Sequence, residues 1–197
     1  MEAKRIVFVG VGGQGNLLAS RLLGEACLAA GIPVVVSEIH GMAQRGGIVE
    51  SAVVMGDAVS PIISKGEADI LIGFEPLETL RALNKCNEKT KVIINVHPLP
   101  PFTAAIGQGT YPDIDNVINL IRIHTSSLIT LDGNKLAVEA GNPLSLNMVM
   151  IGALVGSDFI SLDENTLRDT ISKITKQAFL ESNLKAFDYG IAAAKSG

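Results

Sequence analysis

Short apolar runs alternate along the chain with amphipathic stretches. Residues 5–9 (RIVFV), 33–37 (PVVVS), 48–55, 69–74 (DILIGF), 91–96 (KVIINV) and 127–131 are β-branched or aliphatic runs of strand length. Bounded by Gly, Pro or charged residues, such runs predict strands buried on both faces. Residues 14–30 carry Leu18, Leu22 and Ala26 at i, i+4 and i+8, with Gly31 after them, and predict a helix. Pro76 opens a second helix to about Leu83, residues 113–123 suit a third, and most of the chain beyond residue 131 reads as helical. There Ser161 with Glu164 makes a capping-box pattern, and Leu167, Ile171, Ile174 and Ala178 continue the apolar stripe behind it. Strands alternating with helices predict a three-layer α/β/α domain on a mostly parallel, Rossmann-like sheet. No helix precedes residues 48–55, so that strand is free to run antiparallel.

Two segments break the pattern. Residues 38–47 (EIHGMAQRGG) are polar, glycine-punctuated and without period, and read as a loop at a strand's carboxyl end. Residues 97–112 hold four prolines and two glycines and read as a second loop.

Composition narrows the class. The chain has 197 residues, 47% hydrophobic, with only 4% aromatic and no Trp, so the core of one domain is built from Val, Ile, Leu and Ala. The net charge is −4 and no basic block occurs, which excludes the electropositive stripe of a nucleic-acid binder. The first residues lack the anatomy of a signal peptide, and no apolar run reaches membrane-spanning length, so the expected location is the cytoplasm. Cys27 and Cys86 stand in unrelated contexts, with no CxxC pair and no His at ligand spacing. Disulfide, zinc and iron–sulfur readings all lack residues.

The candidate chemistry lies where the first two strands end. Gly10, Gly12 and Gly15 fit G-x-G-x-x-G between a strand and a helix, with Gly13 and Gln14 inside the motif. Such a turn lets backbone approach a phosphate at a helix N-terminus, and it equally serves tight strand–helix packing. Both readings stay open. In the 38–47 loop, Glu38, His40, Gln44 and Arg45 offer an acid, an imidazole, an amide and a guanidinium beside Gly41, Gly46 and Gly47. That density suits a substrate or partner contact, set against a solvated loop with a local ion pair. Glu75 ends the fourth strand run just before Pro76, where Ser, Asp or Asn would cap better. Asn95 and His97 end the next strand on the same predicted edge, and Ser145 and Asn147 suit a turn plus a helix cap. No catalytic triad or paired-carboxylate setting is present.

Three strings carry a resemblance: VGVGGQGNLLASRLLGEA, VSEIHGMAQRGGIVESAVVMGD and SPIISKGEADILIGFEPLETLRAL, with AVEAGNPLSLNMVMIGAL later. Over most of its length the chain resembles the small (beta) subunits of indolepyruvate:ferredoxin oxidoreductases. More broadly it resembles the gamma domain of pyruvate and 2-oxoacid:ferredoxin oxidoreductases, and residues 1–197 match one such domain. The resemblance implies a subunit that assists oxidative decarboxylation of an aryl pyruvate. Coenzyme A is the co-substrate and ferredoxin the electron acceptor; a large partner subunit carries thiamine diphosphate and the iron–sulfur clusters. A stand-alone nucleotide-binding oxidoreductase and a non-enzymatic ligand-binding module remain as alternatives.

Overall fold

A computed structural model describes residues 2–40, 48–57, 60–100 and 110–196. Its first strand, β1 (Lys4–Val11), lies inside a six-stranded sheet of order β2-β3-β1-β4-β5-β6. Ile6 and Phe8 enter one apolar layer and Val7 and Val9 the other, as the two-residue pleat period requires. The chain continues through α1 (Asn16–Ala29), β2 (Val34–His40), β3 (Ile48–Met55) and β4 (Ile70–Gly73). Then come α2 (Pro76–Arg81), a 3₁₀ turn at Ala82–Lys85, β5 (Lys91–Asn95), α3 (Ile114–Ile123) and β6 (Ser127–Leu131). The remainder is α4 (Gly133–Glu139), a 3₁₀ turn at Pro143–Ser145, α5 (Leu146–Gly156), α6 (Glu164–Ile174) and α7 (Gln177–Ser196).

β1, β4, β5 and β6 are mutually parallel, and β3 runs antiparallel to both β1 and β2. The antiparallel strand that the sequence left open is therefore present, between β2 and β1. One face of the sheet is covered by α1, α5, α6 and α7, whose buried side chains meet Ile6, Phe8, Ile70, Ile72 and Ile93. On the other face, Val117 and Ile121 of α3 meet Val7, Val9, Leu71, Val92 and Ile94. This is the three-layer α/β/α arrangement expected. No helix among the described residues is long and apolar enough to cross a membrane.

α5 is buried on all sides apart from Val155, and it is seated against α7 by an unusually close crossing. A Cβ on Gly152 would stand 2.0 Å from the Phe187 carbonyl oxygen, and one on Gly190 would stand 2.0 Å from that of Val149. Bare backbone at these glycines is what lets the two axes approach.

Several boundaries differ from the sequence reading. α1 begins at Asn16 rather than residue 14, because Gly15 adopts φ 81°, outside the helical region. Its buried stripe is Ala19, Leu22, Leu23, Ala26 and Cys27, while Leu18 lies on the flank, 46% exposed. α2 ends at Arg81 and tightens into the 3₁₀ turn. Asp163, not Ser161, caps α6 by accepting the Thr166 N–H, and Glu164 pairs with Arg168 instead of reaching back. Ile174 is 43% exposed, so the stripe it was assigned to ends at Ile171.

Candidate functional site

β1 is followed by a helix on one face of the sheet, and its parallel neighbour β4 by a helix on the other. Connections diverging from adjacent strands open a crevice outside their carboxyl ends, the usual ligand position in open α/β sheets. Three of the expected site regions converge on this edge: the glycine turn after β1, Phe74 and Glu75 after β4, and Asn95 to His97 at the end of β5. β2 ends and β3 begins on the same edge, at His40 and Ile48.

Gly10 and Val11 belong to β1 rather than to the turn. Gly10 serves packing, since a Cβ there would meet both Phe74 Cβ and Gln14 Oε1 at 2.9 Å. Gly13 and Gly15 supply positive φ, 103° and 81°, and Gly12 lies between them and β1. Gln14 is a brace. Its Oε1 accepts the Val11 N–H at 2.7 Å, and its Nε2 donates to the Phe74 carbonyl at 3.0 Å. The same carbonyl accepts from Asn95 Nδ2 at 2.9 Å. Asn95 is fully buried; its Oδ1 accepts the Gly133 N–H, and its amide also donates to Asn134 Oδ1. One carboxamide network thus ties together the ends of β1, β4 and β5 and the start of α4. A cleft of about 150 Å³ opens above it, lined by Gly13, Gln14, His97, Leu99, Asn134 and Leu146 among others.

Glu75 caps α2, although the shorter Ser, Asp or Asn is the commoner choice: its Oε2 accepts the Glu78 N–H at 2.9 Å. It is 1% exposed, and its Oε1 accepts the Leu99 N–H and the Tyr111 hydroxyl. A carboxylate with four lone-pair sites can hold the helix start and two chain segments at once, which a shorter capping residue could not reach. Burial, with the Glu75 hydrogen bond second, raises the Tyr111 pKa. Nearby Glu78 is raised mainly by burial, against the attraction of Arg81.

Glu38 and His40 lie in β2, not in a loop, and β3 separates β2 from β1. With strands about 4.8 Å apart, Glu38 stands roughly two strand spacings from the glycine turn. A dinucleotide site places its acidic residue on the strand beside the turn, so the nucleotide-binding alternative loses the acid it needs. Glu38 instead shares a shallow groove of about 430 Å³ with Arg21, Glu25 and Val36 between α1 and β2. Gln44 and Arg45 lie outside the described residues. The network around Asn95 escaped the sequence reading, which saw only a loop cap; the signal was a polar residue closing a fully apolar strand run.

No set of three or more His, Cys, Asp or Glu suited to a metal ion occurs among the described residues. Cys27 and Cys86 are both free, and burial pushes each thiol up to about 11. Residues 5–193 match the family model described as pyruvate ferredoxin/flavodoxin oxidoreductase. The chain belongs to that family. Among its relatives, indolepyruvate oxidoreductase subunit IorB of Methanothermobacter thermautotrophicus is 39% identical over 189 residues, covering 96% of each chain. The family fold is shared with the gamma subunit of keto/oxoacid ferredoxin oxidoreductase from Geobacter sulfurreducens, at TM-score 0.73 and 21% identity over 98% of this chain and 99% of that one. It also recurs within 2-oxoglutarate:ferredoxin oxidoreductase from Magnetococcus marinus, solved with 2-oxoglutarate, coenzyme A and succinyl-CoA. There the TM-score is 0.74 at 22% identity, covering 100% of this chain but 32% of that one. In that enzyme the family domain is one part of a longer polypeptide.

Proposed function

We propose that this chain is the small subunit of a coenzyme A-dependent 2-oxoacid:ferredoxin oxidoreductase whose substrate is an aryl pyruvate such as indolepyruvate. In the overall reaction the 2-oxoacid loses carbon dioxide, its acyl group joins the coenzyme A sulfur, and two electrons reduce two ferredoxins. The observation that carries this reading is likeness to an indolepyruvate oxidoreductase subunit along nearly the whole of both chains. In this reading thiamine diphosphate and the iron–sulfur clusters belong on the large subunit, in keeping with a chain of only two cysteines.

The small subunit's own part is to present the carboxyl edge of its sheet. Gly13 and Gln14 form one wall of the 150 Å³ cleft, with His97 and Asn134 in the same lining. The carboxamide network beneath holds that wall at fixed geometry, as a positioning surface requires. Gly10, Gly12 and Gly15 shape the turn, and Glu75 fixes Leu99 at the cleft's rim. Glu38, His40, Gln44 and Arg45 are assigned to contact with the large subunit or its bound substrate, Arg45 to an anionic group of substrate or coenzyme A, for which a guanidinium fork is suited.

Reconstitution tests this. The chain alone should show no indolepyruvate- and coenzyme A-dependent reduction of a viologen dye, and addition of the large subunit should restore it. Turnover by this chain alone, or full turnover by the large subunit without it, overturns the proposal. Arg45→Ala should lose turnover in the complex while the isolated variant melts like the parent.

A further inference from the structure

A second cleft, of about 310 Å³, shares Leu144 with the first and is lined by residues given no role above. It opens among the start of α1, the Pro143–Ser145 turn with the start of α5, and the junction of α6 and α7. Leu18, Leu144, Ile174 and Phe179 line it, and they are 46%, 80%, 43% and 48% exposed. Exposed large hydrophobics scattered singly are ordinary; four around one concavity are not.

The cleft also holds a polar group that the fold does not use. Asn147 is 4% exposed; its side-chain amide makes no hydrogen bond among the described residues, and what exposure it keeps leaves its polar atoms open to the cleft it lines. Capping would explain an Asn here, but Asn147 is the second residue of α5, Ser145 holds the N-cap position, and no side chain closes that end. Gly15 backs Asn147 closely, a Cβ there standing 3.2 Å from Asn147 Cβ. On the rim stands Lys176, exposed and without a carboxylate partner among the described residues.

We propose that this cleft binds a small aryl carboxylate: the ring against the aliphatic and Phe179 surface, a polar atom on the Asn147 amide, and the carboxylate near Lys176. The volume sits at the lower end of the range for small-molecule pockets, about 300 Å³ upward, which suits a one- or two-ring acid better than a nucleotide. A lone ammonium is a point charge matched to a monoanion, and the lining has no Arg to fork a phosphate. The cleft is complete in this chain, so the inference does not rest on the assembly proposed above.

The test is calorimetric titration of the full chain, without a large subunit, using indole-3-acetate as probe and adenosine monophosphate as the competing class. Saturable one-to-one binding of indole-3-acetate is expected, with affinity lost about tenfold or more in Asn147→Ala, the equivalent of roughly 1.4 kcal/mol. Lys176→Glu should lose it similarly. Lys176 is exposed, so that variant should melt like the parent and carries the affinity test free of any folding defect. No saturable binding, preference for adenosine monophosphate, or unchanged affinity in both variants would overturn the site. Failure here leaves the reconstitution result untouched, and the reverse holds too.

Discussion

Gln14 and Asn95 donate to one acceptor, the Phe74 carbonyl oxygen, at 3.0 and 2.9 Å from opposite sides of β4. The two amides are not equivalent. Asn95 is fully buried and serves Gly133 and Asn134 as well, whereas Gln14 is half-buried and lines the cleft. Asn95→Ala should therefore cost roughly 2–3 kcal/mol, the penalty for stranding buried groups, against about 1 kcal/mol for Gln14→Ala. Urea denaturation of the isolated chain gives both numbers. In the reconstituted complex the order should invert, with Gln14→Ala losing more turnover per unit of lost stability. Equal loss per unit would make Gln14 a brace and nothing more.

The turn glycines separate in the same way. Gly13 has φ 103° with open space where a Cβ would stand, so Gly13→Ala costs only the backbone strain, about 1–2 kcal/mol. Gly15→Ala adds crowding against Asn147 to the same strain, while Gly10→Ala, in β1 and without positive φ, crowds Phe74 and Gln14; both thermal melts should fall further. If the turn meets a ligand or the large subunit, Gly13→Ala will lose assembly or turnover beyond what its melt explains. A parent-like complex would reduce the motif to a strand–helix turn.

The sheet was legible because each strand is a run of β-branched or aliphatic residues, and even the antiparallel β3 announced itself by lacking a preceding helix. The errors cluster at strand ends. Glu38 and His40 are polar, so they read as loop, yet they sit on an edge strand where one face meets water and alternation with polar residues is allowed. Glu75 read as a poor cap on local preference; its partners Leu99 and Tyr111 are distant in sequence, and no local rule sees them. Leu18 and Ile174 were counted into core stripes by spacing alone, although the helix faces they occupy border the apolar cleft. Nothing local marks Gly152 as a packing position, because the reason for it lies on α7.

That crossing gives a sharp stability prediction. Gly152→Ala places a methyl 2.0 Å from the Phe187 carbonyl oxygen, which is backbone and cannot rotate aside. Overpacking of this kind costs roughly 1–3 kcal/mol or more, opposite in sign to the gain expected from replacing Gly by Ala in a free helix. Gly190→Ala should behave alike, through the Val149 carbonyl. The double variant should fall short of the sum, since one displacement of the helices relieves both clashes. A thermal midpoint raised by either single substitution would mean that the axes are farther apart than described.

Alkaline pH should unfold the chain early, and the sign follows from three acids, one fully buried and two partly so. Cys27 and Cys86 are held up to about 11 from an ordinary value near 9, chiefly by burial, and Tyr111 is raised by burial and by its bond to Glu75. Between pH 9 and 11 the folded chain keeps protons that the unfolded chain has released, so it binds more protons and its stability falls as pH rises. The contribution is fully present below pH 9. It drains away through 11 by an amount on the order of 3 kcal/mol for fully buried Cys27, at about 1.4 kcal/mol per pKa unit. Urea midpoints measured from pH 7.5 to 10.5 should be level at first and then drop. Cys27→Ala should show a shallower drop, although it starts from lower stability. The same burial makes the thiols slow toward a disulfide reagent at pH 8 until urea exposes them. Rapid modification of both cysteines in the native chain, or midpoints that stay level to pH 10.5, would show that neither thiol is shielded in the folded state.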